Sequence, residues 1–342
     1  MDFTTMGMFI IDDIYPPPSS KGEKAHLGIP GGAGTYCAVG ARIMSPPPSS
    51  KGVGWIIDCG LDFPDDLRTT IDSWGTGALM RPRDGPTTRG WNGYSENERR
   101  DFKYLTPKIR ISEDDLTPAL LTSKTFHMVC SPTRAVDLVK GITMRQKILH
   151  PDLPTPKFIF EPVPDLAVPE ALADTLDTID YVDVLSPNHS ELANLFNRLD
   201  EVHENGFTAA VVEECAEEML THATKHNRHL CVIVRAGKEG CYLAVNLPNR
   251  IRRWLPPYHT EQERVVDPTG GGNGFLGGFS AGLARTGDVT EAVAWGTISA
   301  SFCIEQVGIP TLDHDNSGHE QWNGANPLQR LAEWKARAGL DP

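Results

Sequence analysis

Apolar runs of strand length recur along this chain, at residues 6–11, 53–57, 126–130, 158–160, 181–185, 230–234 and 241–245. Between many of them lie segments of helical length and period, among them 132–147, 188–198 and 209–225. Strands that alternate with helices imply an α/β fold with a mainly parallel sheet covered on both faces. Near the C-terminus the pattern turns helical. Asp288-Val289-Thr290-Glu291 reads as a capping box that opens a helix toward Val307, with Gly308 as its stop. Asn326-Pro327 supplies an N-cap and a first-turn proline for a last helix carrying Leu328, Leu331 and Trp334.

The 342 residues suffice for one large domain or two ordinary ones. A net charge of −13 argues against nucleic acid as a partner, because that recognition needs clustered Lys and Arg. No apolar run approaches the roughly 18–20 residues that cross a membrane. Met1-Asp2-Phe3-Thr4-Thr5 has neither a basic region nor a long apolar stretch, so no secretory signal is expected. Seven cysteines form no C-x-x-C pair, and several sit in apolar runs. That usage suits a reducing compartment, cytoplasmic or nuclear. Pro16-Pro17-Pro18-Ser19-Ser20-Lys21-Gly22 recurs letter for letter at 46–52 and is expected to form exposed, extended loops.

Asp267-Pro268-Thr269-Gly270-Gly271-Gly272-Asn273-Gly274 carries the strongest chemical signal. Its three consecutive glycines stand where a loop enters an apolar helix with Phe275, Phe279 and Leu283 at four-residue spacing. Such a loop turns several backbone N–H groups toward one point, and the helix dipole adds positive potential there. It makes a seat for an anion.

This stretch closely resembles the second signature, D-T-x-G-A-G-D, of the PfkB (ribokinase-like) sugar and nucleoside kinases. The resemblance implies that Gly270, Gly271 and Gly272 hold the transferring phosphoryl group and that Asp267 lies beside the nucleotide. The family's last Asp, which takes the proton from the substrate hydroxyl, is here Asn273. Residues 31–42 resemble the first signature, G-G-x-x-x-N-x-A-x-x-x-A-R, with Gly31 and Gly32 at the substrate and Tyr36 in place of the usual Asn. Residues 7–12 match the family's first strand, whose terminal Asp12 binds substrate hydroxyls; the alternative for Asp12 is a loop cap. Asn188-His189-Ser190-Glu191 fits the N-x-x-E element that organises magnesium largely through water, and Asn188 with Glu191 is equally a helix N-cap. Arg235 stands at the Thr of T-x-G-x-x-G, with Gly237 and Gly240 turning beside the nucleotide. Two readings of Arg235 stay open: it binds phosphate, or it fills the nucleotide's space. Arg89 is either a lid residue reaching phosphate or a surface arginine.

The implied fold is a ribokinase-like three-layer αβα sandwich, a single domain over 1–342. A small β lid comes from about 12–30 and 81–110, and a helical tail from about 311. The likeness is to a divergent fungal branch linked to killer-virus maintenance, which carries a G-G-G-N variant. Implied cofactors are ATP and Mg2+, with room for a monovalent cation. Implied partners are a small-molecule substrate and the nucleotide, with a homodimer through the lid.

An amide has no usable basicity near neutral pH, and general-base help is worth roughly 10²–10⁴-fold. Asn273 therefore leaves three readings. The chain is a slow phosphotransferase, with Asp12 or Asp13 as substitute base; it is a pseudokinase that binds nucleotide; or it uses the cradle for another reaction. Asn273-Gly274 is also a deamidation-prone pair that would regenerate a carboxylate. His222, His226 and His229 lie at helical spacing with no matching carboxylate or cysteine near them in sequence, and read as a solvated helix end.

Overall fold

The computed structural model describes residues 1–15, 24–94, 100–203 and 207–341. The chain opens with β1 (Phe3–Thr5), then leaves the central layer for β2 (Ile10–Tyr15) and β3 (His26–Gly31) before α1 (Gly32–Ile43). β4 (Val53–Cys59), α2 (Asp65–Ser73) and β5 (Gly77–Pro82) follow, then β6 (Arg89–Tyr94) and β7 (Arg100–Tyr104). Alternation resumes with β8 (Thr125–Cys130), α3 (Pro132–Leu149), β9 (Lys157–Pro162), α4 (Leu172–Thr178) and β10 (Val184–Leu185). Next come α5 (His189–Leu195), α6 (Leu199–His203), α7 (Ala209–Lys225), β11 (Cys231–Arg235), β12 (Cys241–Val245) and β13 (Ile251–Leu255). The chain closes with α8 (Gly271–Thr286), α9 (Val289–Cys303), β14 (Leu312–His314), β15 (Glu320–Trp322) and α10 (Pro327–Ala338).

Nine strands form the central sheet in the order β13-β12-β11-β10-β9-β8-β1-β4-β5. Pairings from β11 across to β5 are parallel, and β12 and β13 continue the β11 edge antiparallel. Side chains of a strand alternate between faces. Cys231 and Ile233 of β11 thus join the core under α1, α8 and α9, while Val232 and Val234 join the core under α3, α5 and α7. Helices cover both faces, which gives the three-layer sandwich. A second sheet of order β3-β2-β6-β7 makes the small lid.

Several boundaries differ from the sequence reading. The run at 6–11 is not one strand: β1 ends at Thr5, and Ile10–Tyr15 belongs to the lid, where Ile11 pairs with Arg89. Asp12 therefore sits within a lid strand and not at the end of a central one. The helix opened by Asp288 stops at Cys303, short of Val307. Residues expected in a helical tail instead make the β14–β15 hairpin, whose turn is closed by Asp315 Oδ1 accepting from the backbone of Ser317 and His319. Leu328 of α10 is exposed, whereas Leu331 and Trp334 are buried. The second copy of the proline-rich repeat ends in a 3₁₀ turn (Ser49–Gly52) with Ser50 buried, so it is surface-lying but compact. The first copy lies outside the described residues. No helix among the described residues is long and apolar enough to cross a membrane.

Candidate active site

Gly270 caps α8 in the left-handed region at φ 81°, a conformation that a side chain strains. An added Cβ there would also lie 2.2 Å from the Tyr36 ring. Gly271 N donates to Pro268 O at 3.2 Å, and Gly274 N to Gly270 O at 2.7 Å. The amides of Gly272 and Asn273 sit in the first helical turn, which offers no intrahelical carbonyl to accept from them. They are the donors this helix start presents to an anion.

Beneath α8 a row of polar side chains crosses the sheet. Thr5, Glu161 and Arg235 stand at or near the C-terminal ends of β1, β9 and β11, and His127 lies in the middle of β8, on the face shared with Phe3, Ile159 and Ile233. Thr5 Oγ1 accepts from Gly7 N at 3.0 Å and lies within hydrogen-bond distance of His127 Nδ1, at 3.1 Å. On the other side of the ring His127 Nε2 donates to Glu161 Oε2 at 2.9 Å, since an ionised carboxylate can only accept. Asn273 Nδ2 donates to the same oxygen at 2.7 Å. Arg235 closes the row, its guanidinium 3.0 Å from Glu161 Oε1 and 3.6 Å from Glu191 Oε2, while it donates to Ser186 O at 3.0 Å. A Cβ on Gly272 would lie 2.1 Å from Arg235 NH1, so the guanidinium borders the cradle itself.

Two buried acids thus share one cation, and their environments separate them. Burial pushes Glu161 up, but the Arg235 charge and the His127 and Asn273 donors outweigh it and hold the carboxyl below its ordinary 4.5. Burial pushes Glu191 up, Arg235 and the Asn188 N–H oppose this, and the Glu161 charge adds to it, leaving Glu191 above 4.5.

The structure gathers Gly270, Gly271, Gly272, Asn273, Asn188, Glu191 and Arg235 at this end of the sheet. A cavity of about 890 Å³ opens beside them, with Arg235, Gly237, Gly240, Asp267, Gly271 and Gly272 in its wall. Arg235 lines one wall of this open cavity and borders the cradle. Asp267 Oδ1 accepts from Thr269 N at 2.9 Å and shapes the loop into the cradle. Tyr36, expected beside the substrate, is 3% exposed with its ring against Gly270, so it braces the cradle from within. Asp12 is buried, its carboxylate beside Gly31 and Gly90, with Gly32 opening α1. Arg89 is paired with Asp62 at 3.1 Å and is not part of the cavity wall. Asn188 and Glu191 cap α5 reciprocally, at 2.8 and 2.7 Å.

Sequence reading missed Glu161 and His127. Glu161 ends an apolar run and His127 interrupts one, both on the same face of neighbouring strands, a parity signal visible once the strands are aligned. The donors fit a phosphate-bearing ligand: two first-turn amides and a guanidinium at a helix N-terminus. The oxygen-only set of Glu161, Glu191 and Asn188 has the chemistry magnesium prefers. Arg235, however, is already paired with both carboxylates, and Glu191 is tied to the Asn188 backbone. These residues do not present an acid free of Arg235 to a metal.

Residues 156–314 match the model of the pfkB family carbohydrate kinases. Over 98% of its length the chain is 32% identical to an uncharacterised protein of Schizosaccharomyces pombe, covering 92% of that protein. It is 35% identical to Protein MAK32 of Saccharomyces cerevisiae, again over 98% of this chain and 92% of the other. The fold is similar to that of ribokinase from Giardia lamblia, with a TM-score of 0.67, 17% identity and coverage of 90% of this chain and 96% of that one.

Proposed function

The chain belongs to the pfkB family of carbohydrate kinases, and from that membership we propose that it binds ATP in the cleft beside α8 and passes the terminal phosphoryl group, slowly, to a small hydroxyl-bearing metabolite of the sugar or nucleoside class. The observation that carries this reading is the contact of Asn273 with Glu161 at 2.7 Å. The carboxylate is not lost from the centre; it has moved from helix to sheet.

Phosphoryl transfer asks the protein mainly for positioning and charge stabilisation. The Gly272 and Asn273 amides and Arg235 supply both for the phosphates. With its N–H2 group held on Glu161, Asn273 has Oδ1 left to accept a substrate hydroxyl, which orients that hydroxyl without removing its proton. Asp12, between Gly31 and Gly90, is the second hydroxyl-binding group. No step is assigned to magnesium or a monovalent cation, because Glu161 and Glu191 are both already engaged by Arg235. The seven buried, free cysteines support a reducing compartment, cytoplasmic or nuclear. Exposed Tyr15, Leu27, Phe102 and Tyr104 on the small sheet support a homodimer through the lid.

A second reading, a nucleotide-binding protein without turnover, draws on the same contact. Three donors converge on Glu161 and hold it ionised, and a carboxylate so satisfied is a weak base. The two readings part on a charge exchange. Glu161→Gln with Asn273→Asp keeps one carboxylate and the hydrogen bond between the positions, but returns the acid to the helix. Phosphoryl transfer from ATP to a panel of sugars, polyols and nucleosides is expected to rise about 10²-fold or more over the slow parent rate. Nucleotide binding by both proteins, with no transfer to any acceptor by either, would leave the binding reading alone standing.

A further inference from the structure

The parallel strands have a second end, opposite the cradle, and three ligand-type side chains meet there. His222 and His226 lie at i and i+4 in the last turns of α7, and therefore on one face of the helix. Asp180 comes from the turn between α4 and β10, 42 residues before His222 in sequence, which is why the histidines looked carboxylate-free along the chain. The fold supplies the missing acid. Asp180 Oδ1 and Oδ2 lie 3.0 and 2.8 Å from His226 Nδ1, and the two imidazole rings are 4.2 Å apart. One ligand atom from each residue falls within 4.8 Å of the others. His222 Nε2 is shielded from solvent and has no hydrogen-bond partner among the described residues. His229, the third histidine of the series, meets the Leu247 carbonyl at 3.2 Å and stays outside the group.

We propose that Asp180, His222 and His226 form a divalent transition-metal site of the zinc type, with water completing the coordination. Two imidazoles and a carboxylate are the donor set zinc takes with an open fourth position. Tetrahedral bonds of about 2.0–2.1 Å set ligand atoms about 3.3 Å apart. Rotation of the exposed His226 closes the remaining gap. An imidazole nitrogen must be free of its proton to bind a metal, so binding at His226 Nδ1 replaces the Asp180 hydrogen bond by a shared ion. The ion joins the end of α7 to the turn that launches β10, a staple at the end of the strands away from the cavity. The site lies apart from the cavity and is independent of the phosphate chemistry.

The test uses the full chain, stripped with a chelator and titrated with Zn2+ against a chromogenic competitor, then with Co2+. One equivalent of zinc, visible Co2+ absorption of a four-coordinate site and a rise of a few degrees in thermal midpoint are expected. His226→Ala and Asp180→Asn, both at accessible positions, are each expected to lose that equivalent and the midpoint shift while nucleotide binding stays at the parent value. Absence of the equivalent from the parent protein, or its retention in the doubly substituted chain, overturns the site. A midpoint that falls on substitution with no zinc dependence in the parent assigns the trio to an ordinary ion pair and overturns it equally.

Discussion

Arg235 serves two acids and a carbonyl from one guanidinium, and its side chain is 13% exposed beside carboxylates at 8% and 9%. Removing one member of such a group leaves charges buried without a partner, which costs more than the pair itself contributes. Arg235→Ala is expected to lower the unfolding free energy by about 3–5 kcal/mol, read from urea denaturation. A change below about 1 kcal/mol would mean that water already reaches Glu161 and Glu191. The same residue decides how phosphate charge is met. A charge-assisted hydrogen bond is worth about 1.5–3 kcal/mol, so the variant is expected to bind ATP roughly tenfold or more weakly. Parent affinity, measured by calorimetry, is expected to persist in EDTA. An affinity that vanishes with the chelator would return the charge-balancing role to magnesium. Asn273→Asp alone is a poor mimic of the family's base, because it sets a second carboxylate against Glu161. Asn273 was conspicuous in the sequence because a motif surrounds it, whereas Glu161 and His127 carry no motif and become meaningful through partners more than 30 residues away.

Between elements, the glycines of α8 act as a packing surface as much as a cradle. A Cβ on Gly40 of α1 would lie 2.1 Å from the Gly274 carbonyl oxygen, so the two helices meet backbone to backbone at the turn that follows Asn273. Gly40→Ala must push that turn away. Overpacking of this kind costs about 1–3 kcal/mol, and here it also displaces the amides of Gly272 and Asn273. The expected result is a lower urea midpoint together with weaker ATP binding; loss of stability with unchanged binding would separate the helix contact from the cradle. At this scale the caps were legible. Asp288 Oδ1 accepts from Thr290 and Glu291 N, and Asn326 Oδ1 from Leu328 and Gln329 N, because capping is settled within four residues. The β14–β15 hairpin was not legible. Arg42 of α1 donates to Glu320 Oε2 at 2.8 Å across 278 residues, and Trp322 is fully buried, so its partners are remote in sequence.

Across the whole molecule, the acid response follows from the carboxylates whose folded forms are held ionised. Glu161 and Glu305, pushed up by burial but pulled down further by their donors, end below the ordinary 4.5. An acid with a lowered folded pKa contributes stability that is complete above its unfolded value and is lost as pH falls through its folded value. Glu191, raised by burial, has the opposite sign: its contribution is present at low pH and is lost as pH rises through its folded value. With Asp2 and Asp115 also lowered, the acid-sensitive groups outnumber it. Urea midpoints are therefore expected to fall steadily below about pH 4.5, and Glu161→Gln to flatten that slope. An unchanged slope in the variant would remove Glu161 from the account. The sequence by itself determined the layered α/β fold, the glycine cradle and the helix caps, since strand–helix alternation, left-handed glycine turns and capping are local properties of a chain. Tertiary structure alone decided that Ile10 and Ile11 leave the central sheet for the lid, that Tyr36 turns inward under Gly270, and that Glu161 meets both Asn273 and Arg235 beneath α8. Those outcomes depend on which strand lies beside which and which face each residue takes, and a parallel sheet joins its neighbours through long crossovers that no local window contains.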